Sequence, residues 1–214
     1  PLHAGIEMSE HLKAKGYHCP VAIHYDDLPE NVTVKELFGT MRKDDVIAHV
    51  FQTKAETIFD ENGKIKDCVW DAKKRGVYMD DCHGRVHWSY PNLQNAFSQS
   101  FYPDIISSDL VRVSEYTRPG FSLLYAMSVN SAAGMPTEKI LQSVTYTPAK
   151  ALGIEEKAGV IREGAPADVA ILDIRDVKDK TFTDNYGNSI SGNKLFVPLM
   201  TVKGGRTAYR QIFF

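Results

Sequence analysis

Cysteine is scarce. Cys19, Cys68 and Cys82 are the only three in 214 residues; odd in number and widely spaced, they exclude a disulfide framework and fit a reduced, cytoplasmic setting. No apolar run approaches the ~18 residues that a membrane-spanning helix needs. Charge of one sign is also lacking. Lys and Arg number 25 against 27 Asp and Glu, a net charge of −2 with no basic run. That argues against a dedicated nucleic-acid or membrane-surface binder. The metalloprotease HExxH, paired CxxC motifs and the G-x-S-x-G elbow are all missing. The stretch "SSDLVRVSEYTRPG" is not the Gly-rich turn a phosphate-binding barrel would want.

What is present is apolar material, 43% of the chain, enough for one sizeable core and a small second unit. "LHAGIEMSEHLKAKG" reads as an amphipathic helix with Leu2, Ile6 and Leu12 on one face and Gly16 as its stop. The chain opens at Pro1, directly on this helix, which raises the expectation of a rear part of something longer. After Gly16 one pattern comes four times: a short apolar run that ends in a polar residue. "CPVAIHYDD" ends around His24, "DVIAHVF" around His49, "GVYMDDCHG" around His83 and "PDIISSDL" at Asp109. Helical patterns lie between and after them: "VTVKELFG", "KDCVWDAKKRG", "PNLQNAFSQS" and "FSLLYAMSVNSAAG". Strand, loop and helix at this spacing mean parallel strands with helices outside, an α/β architecture.

Beyond about Gly134 the texture changes. "MPTEKILQSVTYTPAKALGI" reads as two short helices with Pro136 and Pro148 at their starts and Thr147 as an N-cap. Then come β signals, "AGVIREGAPADVAILDI" and "KLFVPLMTVKGGRTAYR", the second with a hairpin turn at Gly204-Gly205. The polar stretch "RDVKDKTFTDNYGNSISGNK" reads as a loop. The expected division is residues 1–152 and residues 153–214.

In parallel α/β sheets and barrels, chemistry gathers where the strands end. His24, His49, His83 and Asp109 each fall at such an end, so four distant positions can point into one volume. Two imidazoles and a carboxylate are ordinary ligands of Zn²⁺ and similar ions, and three protein ligands leave a position open for water. Such an ion activates that water and polarises a carbonyl, while a neighbouring carboxylate moves the proton.

The segments "VAIHYDD", "DVIAHVFQTK", "YMDDCHGRV", "DIISSDL", "GMPTEKILQSVTYTPAKALGI" and "KAGVIREGAPADVAILDI" together resemble the C-terminal portion of amidohydrolase-superfamily enzymes. The resemblance is to the dihydroorotase-like deacetylase branch. It implies the C-terminal half of a metal-dependent (β/α)₈ barrel, strands 5 to 8, followed by part of a small β-sandwich. It implies one or two divalent ions, zinc first among them. His24 and His49 match the metal ligands after the fifth and sixth strands. Asp109 matches the aspartate after the eighth, which binds metal and shuttles the proton. His83 and Arg85, after the seventh strand, are the expected substrate contacts, the arginine suited to a carboxylate.

The implied activity is metal-dependent hydrolysis of an N-acyl or cyclic amide, or an ester, of a small molecule. The family's His-x-His pair and its bridging lysine or glutamate have no counterpart here. The expected partners are therefore a small-molecule substrate and an N-terminal barrel half, from the same polypeptide or another chain. A homo-oligomer is a further expectation. A non-catalytic barrel and a metal-free phosphate-binding (β/α)₈ enzyme are the alternatives. A Cys82–His83 nucleophile pair is disfavoured because adjacent strand residues point to opposite faces. His3, His11, His18 and His87 read as surface or helix residues, and Trp70 and Trp88 as core packing.

Overall fold

The computed structural model describes residues 2–54, 56–117 and 122–212. Pro1, the last three residues of "SSDLVRVSEYTRPG" and the Phe121 that opens "FSLLYAMSVNSAAG" lie outside them.

Helix α1, Leu2–Ala14, ends where Gly16 takes a φ of +87°, a left-handed step that glycine makes without a Cβ penalty. Strands β1 (Ala22–His24), β2 (Val46–Ala48) and β3 (Tyr78–Asp80) form a parallel sheet in that order. Helix α2, Val34–Thr40, links the first two and α3, Asp67–Lys74, the next two. A capping box starts α2: Thr33 Oγ1 accepts the Glu36 N–H at 3.2 Å, and Glu36 Oε2 accepts the Thr33 N–H at 2.9 Å. The parallel order follows from these crossovers, and Ile47 and Met79, at the middle of β2 and β3, are fully buried.

The fourth apolar run is a shorter ladder than expected. It makes a single parallel bridge, Asp80 with Ile105. Even so, the Ile105 N–H donates to Met79 O at 3.1 Å, the Asp81 N–H to Ile105 O at 2.9 Å, and the His83 N–H to Ser107 O at 2.9 Å. That ladder carries the chain up to Asp109 beside β3.

Helix α4, Tyr90–Ser98, begins with Ser89 as cap and Pro91 in its first turn. Helix α5, Leu123–Ala132, is capped by Ser122. Helices α6 (Thr137–Val144) and α7 (Tyr146–Ala151) follow, and the cap position of α7 is Thr145, not Thr147. No helix among the described residues is long and apolar enough to cross a membrane.

The polar stretch from Arg175 to Lys194 is not a loop. It belongs to two long antiparallel strands, β4 (Val169–Thr183) and β5 (Ser189–Lys203), which with β6 (Arg206–Arg210) form a second sheet. Most of this hairpin is solvated on one or both faces, so it lacks the apolar alternation by which strands are read. Gly204-Gly205 does make the β5–β6 turn.

The second sheet packs on α5. Ser128 Oγ accepts the Phe196 N–H at 3.0 Å, and Phe182, Ile190 and Phe196 join the same apolar cluster as Ile47 and Met79. Gly192 permits this approach, since a Cβ there would stand 2.6 Å from Ala132 Cβ.

Candidate active site

Each strand of the first sheet delivers a titratable side chain at or just past its C-terminal end. His24 closes β1, His49 follows β2, and Asp81, Cys82 and His83 follow β3. His49, Cys82 and Asp109 share an unusual backbone, with φ of +64°, +39° and +45°. A left-handed residue at a strand end turns the side chain away from the strand's own alternation. His and Asp tolerate this better than most residues, and Cys has no such excuse.

The imidazoles of His24, His49 and His87 cluster. Their ring centroids are 4.4 Å apart for His24–His49 and 4.8 Å for each pair involving His87. Around them lie two groups of potential metal donors, each with atoms within 4.8 Å of one another: His24, Asp26 and His87, and His49, Cys82 and Asp109. The structure thus joins His49 to Asp109 in one group and places His24, through its edge-on contact with His49, in the adjoining one. His87 is no surface residue. Its side chain is 16% exposed and its Nδ1 lies 3.0 Å from Asp26 Oδ2. The sequence signal for it was weak, because His87 sits on the loop beyond β3 and not at a strand end.

His49 is buried, with Nδ1 2.8 Å from the carbonyl of Cys82 and Nε2 3.6 Å from Cys82 Sγ. Burial, then the neighbouring His24 and His87, hold its pKa down at about 4, so the ring is neutral and able to donate a lone pair. Asp26 is pushed up by burial, but Lys54 and His87 more than reverse this and its carboxyl lies below the ordinary range. Burial raises Asp80 to about 6, against hydrogen bonds from Ser107 Oγ and the Cys82 N–H, both at 2.8 Å. Asp81 is fully buried, raised to about 7 by desolvation, and accepts Asn130 Nδ2 at 2.7 Å.

The two expected substrate contacts separate. His83 is 1% exposed, packed between Trp88 and Tyr125 with centroid distances of 3.9 and 5.6 Å. Its surroundings are apolar enough to hold its pKa down at about 3. Buried there, its ring stacks on aromatic neighbours within the fold. Arg85 is exposed. Asp109, half-buried, sits close against Gly84, where a Cβ would stand 2.8 Å from Asp109 Oδ2. A side chain there would push the Asp109 carboxylate aside, and the φ of +51° disfavours one in any case.

Parallel strands that end in imidazoles and carboxylates, joined to a second antiparallel sheet, define a class of α/β proteins with a polar centre at the strand mouths. The amidohydrolase family model matches residues 7–208, and the chain belongs to that family. It is 27% identical over 202 residues to a deacetylase of Enterococcus faecalis, covering 94% of this chain and 54% of that protein. A crystal structure of an adenine deaminase superposes with a TM-score of 0.87 at 26% identity, over 96% of this chain and 55% of that one. A dihydroorotase structure shares the fold, with a TM-score of 0.78 over 97% of this chain and 52% of that one. The chain spans about half the length of the curated relatives it matches.

Proposed function

We propose that the chain is the C-terminal half of a (β/α)₈ barrel, strands 5 to 8, running to about residue 152 and followed by part of a β-sandwich. In this reading it serves a metal-dependent hydrolase acting on a C–N bond other than a peptide bond, in an N-acyl or cyclic amide. An ester of similar shape is the less favoured substrate. One observation carries this: neutral, buried His49 stands in edge contact with His24 and in one donor group with Asp109, all at ends of neighbouring parallel segments.

The donor set fits one or two divalent ions, zinc first, held by His24, His49 and Asp109. Such an ion, when bound, lowers the pKa of a water and polarises the scissile carbonyl. The chain's own residues do the rest. Cys82, through its carbonyl, orients His49 so that Nε2 faces the site. Asp109 takes the proton from the attacking water and delivers it to the departing nitrogen. Arg85, exposed beside the site, holds a substrate carboxylate, with His83 packed beneath the same loop. Among the described residues, three short parallel strands and the parallel bridge of Asp80 with Ile105 cannot close a barrel, so a complementary N-terminal segment supplies the remaining donors and covers the free edge of β1. A small-molecule substrate, a cytoplasmic setting suited to three free cysteines and self-association complete the reading.

The test is metal analysis of the intact protein together with turnover of a panel of N-acyl amino acids and cyclic amides. One or two divalent ions per barrel are expected, and Asp109→Asn should fold normally while turnover falls by several orders of magnitude. Retained turnover in that variant defeats the mechanism. Absence of bound metal after gentle purification favours a non-catalytic barrel instead.

A further inference from the structure

We propose that Cys82 Sγ is itself a metal ligand, completing a site with His49 Nε2 and the Asp109 carboxylate. The proposal rests on the metal-dependent reading above and adds a sulfur donor to it.

The distances suit coordination. Cys82 Sγ and His49 Nε2 are 3.6 Å apart, long for a strong hydrogen bond. A tetrahedral zinc with bonds of about 2.3 Å to sulfur and about 2.0 Å to nitrogen holds those two atoms about 3.5 Å apart. Donor atoms of His49, Cys82 and Asp109 all lie within 4.8 Å of one another, so closing on an ion asks for small side-chain rotations only. His49 is 1% exposed, and Nε2 faces no oxygen or nitrogen partner among the described residues.

The backbone holds Cys82 for this purpose. Its N–H donates to Asp80 Oδ1 at 2.8 Å, its carbonyl accepts from His49 Nδ1 at 2.8 Å, and its φ of +39° turns Sγ toward the cluster. One residue therefore engages His49 at both ring nitrogens. A structural cysteine would need none of this strain. His83, next in sequence, goes the other way into Trp88 and Tyr125. Cys68 lies in α3 and Cys19 follows α1, so neither shares the strand-end site.

Coordination by the thiol exchanges its S–H bond for a sulfur–metal bond, and the proton leaves to solvent. One proton per bound ion therefore comes from Cys82. A sulfur donor also shifts preference toward zinc and cobalt and away from magnesium, calcium and manganese.

The experiment is titration of the intact protein with Co²⁺ alone, followed by absorption spectroscopy. Visible ligand-field bands accompanied by an intense near-ultraviolet thiolate-to-cobalt band are expected. The near-ultraviolet band should persist in a Cys19→Ser/Cys68→Ser variant, which keeps Cys82 as its single cysteine. It should vanish in Cys82→Ser, whose Co²⁺ binding should weaken about tenfold or more while visible bands remain at saturating Co²⁺. Visible bands without the near-ultraviolet one in the wild type overturn the Cys82 proposal and leave the metal reading standing. Loss of the near-ultraviolet band in the Cys82-only variant overturns it as well. If no Co²⁺ binds, the metal reading fails and the proposal falls with it.

Discussion

The Nδ1 atom of His49 lies 2.8 Å from the carbonyl oxygen of Cys82. A carbonyl only accepts, so this nitrogen carries the proton and Nε2 the lone pair. The ring's pKa is depressed to about 4, by burial first and by His24 and His87 next. Between that value and the unfolded value near 6.5, the unfolded chain binds the extra proton. The stability His49 supports is therefore complete above about pH 6.5 and lost as pH falls toward 4, by about 3 kcal/mol. Asp81, raised to about 7, has the opposite sign in an overlapping window, so the informative quantity is a difference. In urea unfolding with chelator present, the wild type should lose about 2–3 kcal/mol more than His49→Gln between pH 7.5 and pH 4.5. Parallel losses would show that His49 is not buried as a neutral ring.

Gly84→Ala places a Cβ 2.8 Å from Asp109 Oδ2 at a φ of +51°. Either the loop or the carboxylate must move. A displacement of about 1 Å at a reacting group costs on the order of 100-fold in rate, whereas a strained alanine costs about 1–3 kcal/mol in stability. Turnover of Gly84→Ala should fall about 100-fold while the circular dichroism spectrum is unchanged. Unchanged turnover would mean that Asp109 does not work from this position.

Asp45, fully buried, ties β1 to β2. Its Oδ1 accepts the Val21 N–H at 2.8 Å and Arg42 Nη2 at 3.0 Å, and Oδ2 accepts the Arg42 N–H at 2.9 Å and Nε at 3.0 Å. Burial alone would raise its pKa, but Arg42 and the two backbone donors outweigh it and the pKa is lowered. The stabilisation is thus present above the unfolded carboxyl pKa and lost as pH falls through the folded one. Asp45→Ala should cost about 1–3 kcal/mol at pH 7, because the Val21 and Arg42 N–H groups lose their acceptor while Arg42 keeps Glu10 and Ser9, and that gap should shrink in strong acid. A loss below 1 kcal/mol in chemical denaturation would contradict the buried pair.

Asp184, at the tip of the β4–β5 hairpin, reaches the start of α4. Its Oδ2 accepts the Tyr90 N–H at 3.1 Å, and its Oδ1 accepts the N–H groups of Tyr186 and Asn188, each at 2.9 Å. Tyr186 in turn donates its hydroxyl to Val86 O, next to His87. Asp184→Ala should cost about 1–3 kcal/mol and speed amide exchange across residues 86–92. Exchange confined to the hairpin itself would show that the tip does not brace the loop of His87.

The first sheet was readable because its strands are short, apolar and parallel, with β2 and β3 buried at their centres. "VAIH", "VIAH" and "VYMD" are continuous apolar runs with one polar terminus, and in the first two that terminus is one of the candidate metal ligands. The β4–β5 hairpin escaped because period-2 patterning needs one buried face, and Lys178, Asp179 and Lys180 have none. His87 and Cys82 escaped for a different reason. Their places depend on a loop folded back over the sheet and on one left-handed residue, neither of which leaves a period in the sequence. Arg42–Asp45 is a similar case, since a charged pair three residues apart reads as solvated surface until a strand end is laid across it.

The left-handed backbone at His49, Cys82 and Asp109 has an evolutionary corollary. Glycine would relax each of these positions by about 1 kcal/mol or more, so a screen for heat resistance alone should be drawn to these three residues. A thermally improved lineage selected blindly would then dismantle its own donor cluster first, while every helix and strand around it remained in place.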